Sequence, residues 1–274
     1  KSERKVADII LASPERAIHS SIAALAVEAN VSEPTVNRFC RSMDTRGFPD
    51  FKLHLAQSLA NGTPYVNRNV DEDDSVESYT GKIFESAMAS LDHVRQSLDN
   101  AAVNRAVDLL TQAKKIAFFG LGSSAAVAHD AMNKFFRFNV PVIYSDDIVL
   151  QRMSCMNCSD DDVIVLISHT GRTKSLVELA QLARENDAMV IALTSPGTPL
   201  AREATLAITL DVPEDTDIYM PMVSRLAQLT VIDVLATGFT LRRGAKFRDN
   251  LKRVKEALKE SRFDKELLIK SDDR

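Results

Sequence analysis

The sequence predicts two domains, a small all-helical domain at the N-terminus and a larger α/β domain with a mostly parallel, five-stranded sheet. Residues 1 to about 60 contain short apolar-periodic helices and no convincing strand. Farther along, short apolar runs alternate with helical segments, a pattern typical of a parallel sheet with helices on both faces. Residues 62–77 are rich in Gly, Pro, Asn and Asp and are typical of a linker. The predicted boundaries are 1–61, 62–77 and 78–274.

Composition is that of an ordinary globular protein. The chain has 274 residues, of which 45% are hydrophobic and 26% charged, with a formal net charge of -4. No apolar stretch approaches the roughly 20 residues that cross a bilayer. The opening segment KSERKVADII lacks the layout of a secretion signal, so we expect a cytoplasmic protein with no membrane partner.

Three cysteines are too few for a disulfide framework. Cys155 and Cys158 have C-x-x-C spacing, but no second Cys or His pair stands at metal-ligand spacing. We interpret both as buried or half-buried thiols, with a redox or metal role as the alternative, and we predict no bound metal.

The segment IAALAVEANVSEPTVNRFCRSM has helix-turn-helix spacing. Leu25 and Ala26 face inward on the first helix, and Asn30 lies in the turn, where a left-handed backbone is needed and Asn tolerates one. Ser32 caps the second helix, whose inward residues are Val36 and Phe39. Either this helix reads DNA or it presents an ordinary solvated face of a three-helix bundle.

The outward face of that second helix offers Arg and Asn side chains, which are well suited to paired contacts with base edges in a major groove. We predict that the DNA-contacting residues are Ser32, Glu33, Thr35, Asn37, Arg38 and Arg41.

The α/β domain begins with helices at about 78–98 and 100–113, the second capped by Asp99 or Asn100. Its predicted strands are KIAFFG, VPVIY, DDVIVLIS, AMVIALT and LAITLDV. The remaining predicted helices run from Ser123 to Phe138, Thr173 to Asn186, about Ser224 to Leu241 and about Phe247 to Phe263. The acidic stretch Asp211, Glu214, Asp215 and Asp217 is interpreted as a solvated loop.

Two loops follow strands of this sheet and carry glycines and hydroxyls at helix starts, a composition that suits a phosphate. The alternative is that Ser and Thr only cap helices and Gly only makes turns. Neither loop has a dinucleotide fingerprint or a P-loop, so we predict no nucleotide cofactor. The candidate ligand-binding residues are Ser123 and Ser124 in the first loop and Ser168, Thr170, Gly171, Arg172 and Thr173 in the second.

The motifs GLGSSAAVA and SHTGRT resemble those of the sugar isomerase (SIS) domain, a flavodoxin-like fold that binds phosphosugars in isomerases, amidotransferases and bacterial regulators. The resemblance implies that Ser123, Ser124, Ser168, Thr170 and Thr173 surround the ligand phosphate.

The stretch VNRFCRSMDTRGFPDFKLHL, after the helix-turn-helix, resembles the RpiR family of bacterial transcription regulators, which join this motif to a SIS domain. The resemblance implies a repressor or dual regulator of glucose and central-carbon genes, binding operator DNA as a homodimer or higher homo-oligomer. It also implies a phosphorylated sugar acid as effector, 2-keto-3-deoxy-6-phosphogluconate, whose carboxylate Arg172 could meet.

The competing class is a phosphosugar isomerase with an accessory helical domain. Isomerisation needs an acid and a base placed around the sugar. His169, which could bond a ligand or face solvent, Glu178 and His129 are the candidates, and no two of them are visibly arranged as such a pair. We therefore predict a regulator with no catalytic residues.

Overall fold

A computed structural model of the protein describes residues 2–43, 45–60, 70–214, 216 and 220–259. They form two compact units, one from the chain up to Phe84 and the other mainly from Glu85 onward, so the division falls inside a helix. None of the helices in these ranges is long and apolar enough to cross a membrane.

The first unit is helical, as predicted. Its core includes Val6, Leu25, Ala26, Val36 and Phe39, the last two on the inward face of the helix proposed to read DNA. The helices are α1 (Ser2–Ala12), α2 (Pro14–His19), α3 (Ile22–Glu28), α4 (Glu33–Ser42) and α5 (Phe48–Ala60).

The second unit is a five-stranded sheet in the order β2-β1-β3-β4-β5, with every neighbouring pair parallel. The strands are β1 (Lys115–Gly120), β2 (Val142–Ser145), β3 (Asp162–Ser168), β4 (Met189–Thr194) and β5 (Leu206–Thr209). Two separate apolar clusters cover the two faces of the sheet, which confirms the predicted architecture.

The helices from α6, which the division crosses, to the end of the described chain are close to those predicted, and Asp99 does cap the second of them, accepting from Ala101 N and Ala102 N. They are α6 (Val76–Ser97), α7 (Asn100–Gln112), α8 (Ser123–Phe135) with a 3-10 turn at Phe136–Phe138, α9 (Ile148–Met156), α10 (Lys174–Glu185), α11 (Pro199–Glu203) and α12 (Val223–Ala257). The predicted break in the last helix lies at Gly244, where φ is 75°. The predicted end at Phe263 lies outside the described residues.

Two short helices, α9 and α11, are absent from the predicted set. α9 buries only Gln151 and Cys155 and points its apolar side chains outward. It therefore shows no amphipathic pattern of the usual kind, in which apolar residues mark the buried face.

The three cysteines are free thiols. Cys155 is fully buried, and burial raises its pKa to about 12, so the thiol stays protonated. Burial also raises the pKa of the half-buried Cys158. Within the described ranges, no group of three or more His, Cys, Asp or Glu could hold a metal ion.

Glu214 holds the start of α12, so its interpretation as part of a solvated loop is wrong. Its carboxylate accepts hydrogen bonds from the N–H groups of Met222, Val223 and Ser224 at 2.7, 2.8 and 3.1 Å. Burial raises the pKa of Glu214, but hydrogen bonds from the Ser224 hydroxyl and from these N–H groups outweigh it, leaving the pKa below its usual value. A negative charge at a helix N-terminus satisfies donors that have no partner within the helix. Asp215 and Asp217 lie outside the described residues.

Glu214→Gln should lower the free energy of unfolding at pH 7 by about 1–2 kcal/mol, because a neutral amide accepts these bonds more weakly than a carboxylate. Because the folded pKa is depressed, the carboxylate's contribution is complete above the unfolded pKa of about 4.3 and disappears as pH falls through the folded pKa. Urea denaturation of the wild type and the variant at several pH values from 7 to 3 measures this difference in the free energy of unfolding. Glu185→Gln, at an exposed glutamate, is the control, and a difference between wild type and Glu214→Gln that does not shrink at low pH would contradict the assignment.

Candidate functional site

Three neighbouring strands end at the same edge of the sheet and bring their following loops together. Gly120 of β1 pairs in register with Ile167 of β3, and Ser168 of β3 pairs with Thr194 of β4. In open parallel sheets, ligands bind beyond the carboxyl ends of the strands. The two predicted phosphate loops are therefore adjacent in space.

The second loop presents hydroxyls directly at the start of α10. Ser168 is 6% exposed, and its Oγ accepts the Gly171 N–H at 3.2 Å, which leaves the hydroxyl hydrogen to donate elsewhere. Thr170 and Thr173 are half-buried, and Thr173 occupies the N-cap position of α10 without its hydroxyl capping any N–H of the helix. Since the first N–H groups of a helix have no partner within it, hydroxyls and amides at this point can together bind an anion.

The first loop lets the backbone turn tightly before α8. A side chain at Gly120 would place its Cβ 2.6 Å from the backbone oxygen of Ser124, so this position needs glycine. Gly122 follows with φ of 56° and is the N-cap of α8. Ser123 is half-buried and Ser124 is 8% exposed, and both lie in the first turn of the helix.

Arg172, the predicted carboxylate partner, has an exposed side chain. Its backbone N–H donates to Thr170 Oγ1 at 3.4 Å. A role of Arg172 toward a carboxylate stays a prediction.

A third loop packs against the second and was not predicted from the sequence. It consists of Thr194-Ser195-Pro196-Gly197-Thr198. Thr194 Oγ1 and Thr198 Oγ1 lie 3.2 Å apart and fill the space beside Gly171, while the Gly171 carbonyl accepts the Leu200 N–H at 3.1 Å. The signal was present in the sequence, since this segment repeats the pattern of a buried strand followed by hydroxyls and a glycine.

Gln151 links the first loop to β2 by hydrogen bonds, a role that was not predicted from the sequence. It is fully buried, and its Nε2 donates to the carbonyls of Gly120 at 3.3 Å and Ser145 at 2.7 Å. A buried glutamine within an apolar helix gives no sequence signal of which carbonyls it will meet.

The three candidate acid–base residues are each engaged with other protein groups. The His169 ring lies between Ser195 Oγ, 3.4 Å from Nδ1, and the Glu214 carbonyl, 3.3 Å from Nε2, rather than facing solvent. Glu178 is exposed on α10 and pairs with Arg152 at 3.7 Å. The His129 ring stacks on Tyr144 with centroids 4.9 Å apart. This arrangement offers no prepared proton-transfer pair.

The helix-turn-helix has the backbone that its sequence predicts. Asn30 adopts φ of 50° in the turn between α3 and α4, and the Val31 N–H donates to the Ala26 carbonyl at 2.9 Å. Ser32 is the N-cap of α4, though its hydroxyl lies 3.0 Å from Thr35 Oγ1 rather than bonding a backbone N–H. Pro34 stands in the first turn, where no amide partner is needed.

The six predicted DNA-contacting residues differ in exposure and in the contacts that they already make within the domain. Asn37 is half-buried, and its Oδ1 accepts the Phe48 N–H at 3.1 Å, so the oxygen already has a role in the fold. Arg38 is exposed and donates to Glu3 Oε1 at 2.9 Å. Arg41 is exposed in the last turn of α4. Of the others, Ser32 and Glu33 are exposed and Thr35 is half-buried.

Two family models match the chain. The helix-turn-helix domain of the rpiR family matches residues 1–62, and the SIS domain matches residues 109–238. The chain is 93% identical, over all 274 residues and 95% of the relative's length, to the HTH-type transcriptional regulator HexR of Escherichia coli strain K12. It is 57% identical to HexR of Pseudomonas aeruginosa over 96% of this chain and 92% of that protein.

Solved structures show the same architecture. The Vibrio vulnificus NanR protein, complexed with ManNAc-6P, has a TM-score of 0.65 and 26% identity, covering 96% of this chain and 95% of that one. The sugar isomerase domain of an RpiR transcription factor from Sphaerobacter thermophilus has a TM-score of 0.55 and 18% identity. It covers 65% of this chain and 98% of that one, and it supports the fold alone.

Gly171→Ala should destabilise the protein more than Gly197→Ala. Both glycines have positive φ, 56° and 71°, so both variants carry backbone strain of about 1–2 kcal/mol. Only at Gly171 would the new Cβ also clash, 2.5 Å from Thr194 Oγ1 and still closer to Thr198, whereas nothing lies within 4 Å at Gly197. We expect an additional loss of about 1–3 kcal/mol in the free energy of unfolding, measured by urea denaturation. Equal losses in the two variants would refute the packing of the third loop against Gly171.

Proposed function

The chain belongs to the rpiR family of helix-turn-helix transcription regulators. We propose that a phosphorylated sugar acid, bound at the SIS domain, controls the affinity of the protein for operator DNA. Its close relatives are named as transcription regulators, so the chain is a regulator and not an enzyme, and the isomerase alternative is set aside. We place its action in the cytoplasm, where bacterial operator DNA lies.

The observation that carries the proposal is the second loop. Ser168 and Thr173 offer hydroxyls at the N-terminus of α10. The first loop, with Ser123 and Ser124, follows the adjacent strand β1. Hydroxyls, amides and a helix dipole together favour a dianionic phosphate. The acid–base candidates contact other protein groups instead, which suits a site that binds a ligand without converting it.

The proposed effector is 2-keto-3-deoxy-6-phosphogluconate, a sugar acid with a phosphate at one end and a carboxylate at the other. The resemblance of the chain to HexR supports this choice, and NanR, whose structure contains ManNAc-6P, supports a phosphorylated sugar as the ligand class. The phosphate would bind the seryl and threonyl hydroxyls of the two loops, and the exposed Arg172 would meet the carboxylate.

A homodimer would place two α4 helices in successive major grooves, roughly 34 Å apart on a pseudo-palindromic operator. Effector binding would favour a state whose spacing no longer fits, which requires different effector affinities in the two states. The regulated genes would be those of glucose and central-carbon metabolism, with the protein acting as a repressor or dual regulator.

A gel shift on promoter DNA, with and without 2-keto-3-deoxy-6-phosphogluconate, tests the proposal directly. We expect a retarded complex that the effector releases, while the same concentration of inorganic phosphate has a much smaller effect. A complex that no phosphorylated sugar changes would refute the sensing role and leave DNA binding in place.

Ser168→Ala should leave operator affinity unchanged and raise the effector concentration needed for half-release roughly 10-fold, because one charge-assisted hydrogen bond contributes about 1.5–3 kcal/mol. Effector titration of the gel shift measures it. Ser97→Ala is the matched control, since that exposed hydroxyl donates to backbone carbonyls of its own helix. Release of Ser168→Ala at the wild-type concentration would count against the pocket.

Arg41→Ala should weaken operator binding roughly 5- to 100-fold, the loss of one paired contact to a base, while effector binding and thermal stability stay unchanged. Arg41 is a sharper choice than Asn37, whose side chain holds the start of α5, or Arg38, which pairs with Glu3. Fluorescence anisotropy with labelled operator gives the affinity. Arg95→Ala, at an exposed arginine of the other unit, serves as control, and wild-type affinity in Arg41→Ala would remove that residue from the DNA interface.

A further inference from the structure

Gln228 of α12 is a buried polar side chain without a partner in the fold. It is 2% exposed, and its amide makes no hydrogen bond with any residue that the structure describes. Burying an amide without a hydrogen bond costs free energy, so such groups are uncommon in folded proteins. Gln151, the other buried glutamine of the described chain, differs, because its amide nitrogen donates to two carbonyls.

The amide of Gln228 is not sealed inside the protein. Among the described residues, the side-chain polar atoms that are fully enclosed and lack a partner are Asp130 Oδ2, Gln151 Oε1 and Ser154 Oγ. Neither amide atom of Gln228 is one of them, so the amide borders space that solvent can enter. A ligand that enters this space can therefore bond to the amide.

The start of α12 lies at the edge of the sheet where the phosphate loops are. The Glu214 carboxylate accepts hydrogen bonds from the first N–H groups of α12, and the Glu214 carbonyl oxygen lies 3.3 Å from His169 Nε2 in the second loop. Gln228 is one helical turn beyond Ser224, the last of these N–H donors. It therefore stands within the first two turns of a helix whose start borders the second loop.

The packing of α12 against α8 places Gln228 at the level of Ser124, beside the first loop. Phe239 of α12 packs against Phe135 of α8 with ring centroids 5.5 Å apart. Both helices begin at the same edge of the sheet, and Gln228 and Ser124 each precede their phenylalanine by eleven residues. Eleven residues are about three turns, so each polar residue lies on the same face of its helix as the phenylalanine. Ser124 is 8% exposed, and its hydroxyl also makes no hydrogen bond with the described chain.

An amide suits the carbon chain of a sugar acid better than its phosphate. It both donates and accepts hydrogen bonds, as a hydroxyl does, whereas the oxygens of a phosphate dianion only accept. The phosphate already has the hydroxyls and N–H groups of the two loops. An amide beside Ser124 can donate to a keto oxygen of the ligand or accept from one of its hydroxyls.

We propose that Gln228 is an effector-binding residue, which bonds a hydroxyl or the keto oxygen of the sugar acid while the phosphate occupies the two loops. The inference rests on the proposed function, because it requires a phosphorylated sugar acid to bind at this edge of the sheet. It adds α12 to the two loops as a third element of the site, and it gives the buried amide a partner.

Isothermal titration calorimetry of the full chain with 2-keto-3-deoxy-6-phosphogluconate tests the assignment. Gln228→Met keeps the volume of the side chain and removes the amide. We expect the effector dissociation constant to rise roughly 10-fold, the loss of one or two hydrogen bonds. The urea midpoint of unfolding should stay at or above the wild-type value, because the fold loses no hydrogen bond.

Gln112→Met, at an exposed glutamine of α7, is the matched control and should bind effector as wild type does. Wild-type effector affinity in Gln228→Met would overturn the assignment. A lowered urea midpoint in Gln228→Met would overturn it as well, since it would mark Gln228 as a residue that the fold itself needs.

Inorganic phosphate separates contact with the carbon chain from contact with the phosphate. As a competitor of the effector, it should have an inhibition constant within about twofold of wild type in Gln228→Met, and a raised one in Ser168→Ala. Equal weakening toward phosphate and toward the sugar acid in Gln228→Met would place the amide at the phosphate and overturn its assignment to the carbon chain.

The same titrations separate this assignment from the proposed function. Weakened effector binding in Ser168→Ala with wild-type binding in Gln228→Met would leave the sensing site standing without Gln228. A wild-type chain that binds no phosphorylated sugar acid would overturn both.

Discussion

The parallel, in-register pairing of three buried strands is the constraint on which the candidate site depends. β1 and β4 pair with β3 in parallel and in register, so the carboxyl ends of the three strands reach the same edge of the sheet. That alignment places Gly120, Ser168 and Thr194 side by side. Every loop feature described above, from the glycine turns to the hydroxyls at helix starts, acts at one place because the strands end together.

The loops differ in how rigidly they are held. The second loop is packed from behind, because Thr194 and Thr198 occupy the space a side chain at Gly171 would need. On its other side, the Thr173 hydroxyl makes no capping hydrogen bond to α10. A loop that is already packed in place loses less conformational entropy when it binds a ligand, so this packing would favour the proposed phosphate site. The first loop is held differently, through Gln151 and hence through α9.

In the helix-turn-helix unit, two asparagines have different structural roles. Asn30 makes the turn possible by taking a left-handed backbone, and Asn37 links α4 to the start of α5. The exposed side of α4 is therefore presented by a helix that is held by the turn before it and by a side-chain hydrogen bond from its middle to the start of α5. A regulator gains from this rigidity, since contacts to base edges are selective only when the side chains that make them are held in register.

The sequence alone determined the two-domain organisation, the five strands, the helix-turn-helix and the two hydroxyl-rich loops. These features follow from local periodicity and from residues whose backbone preferences do not depend on distant contacts. Asn30 and Gly171, which tolerate a left-handed backbone, are examples. Only the tertiary structure decided the roles of Glu214, Gln151 and Asn37, and the existence of α9. Those roles consist of contacts with groups 6 to 31 residues away along the chain. Since α9 also carries its apolar residues outward, no pattern within a few neighbouring residues could reveal them.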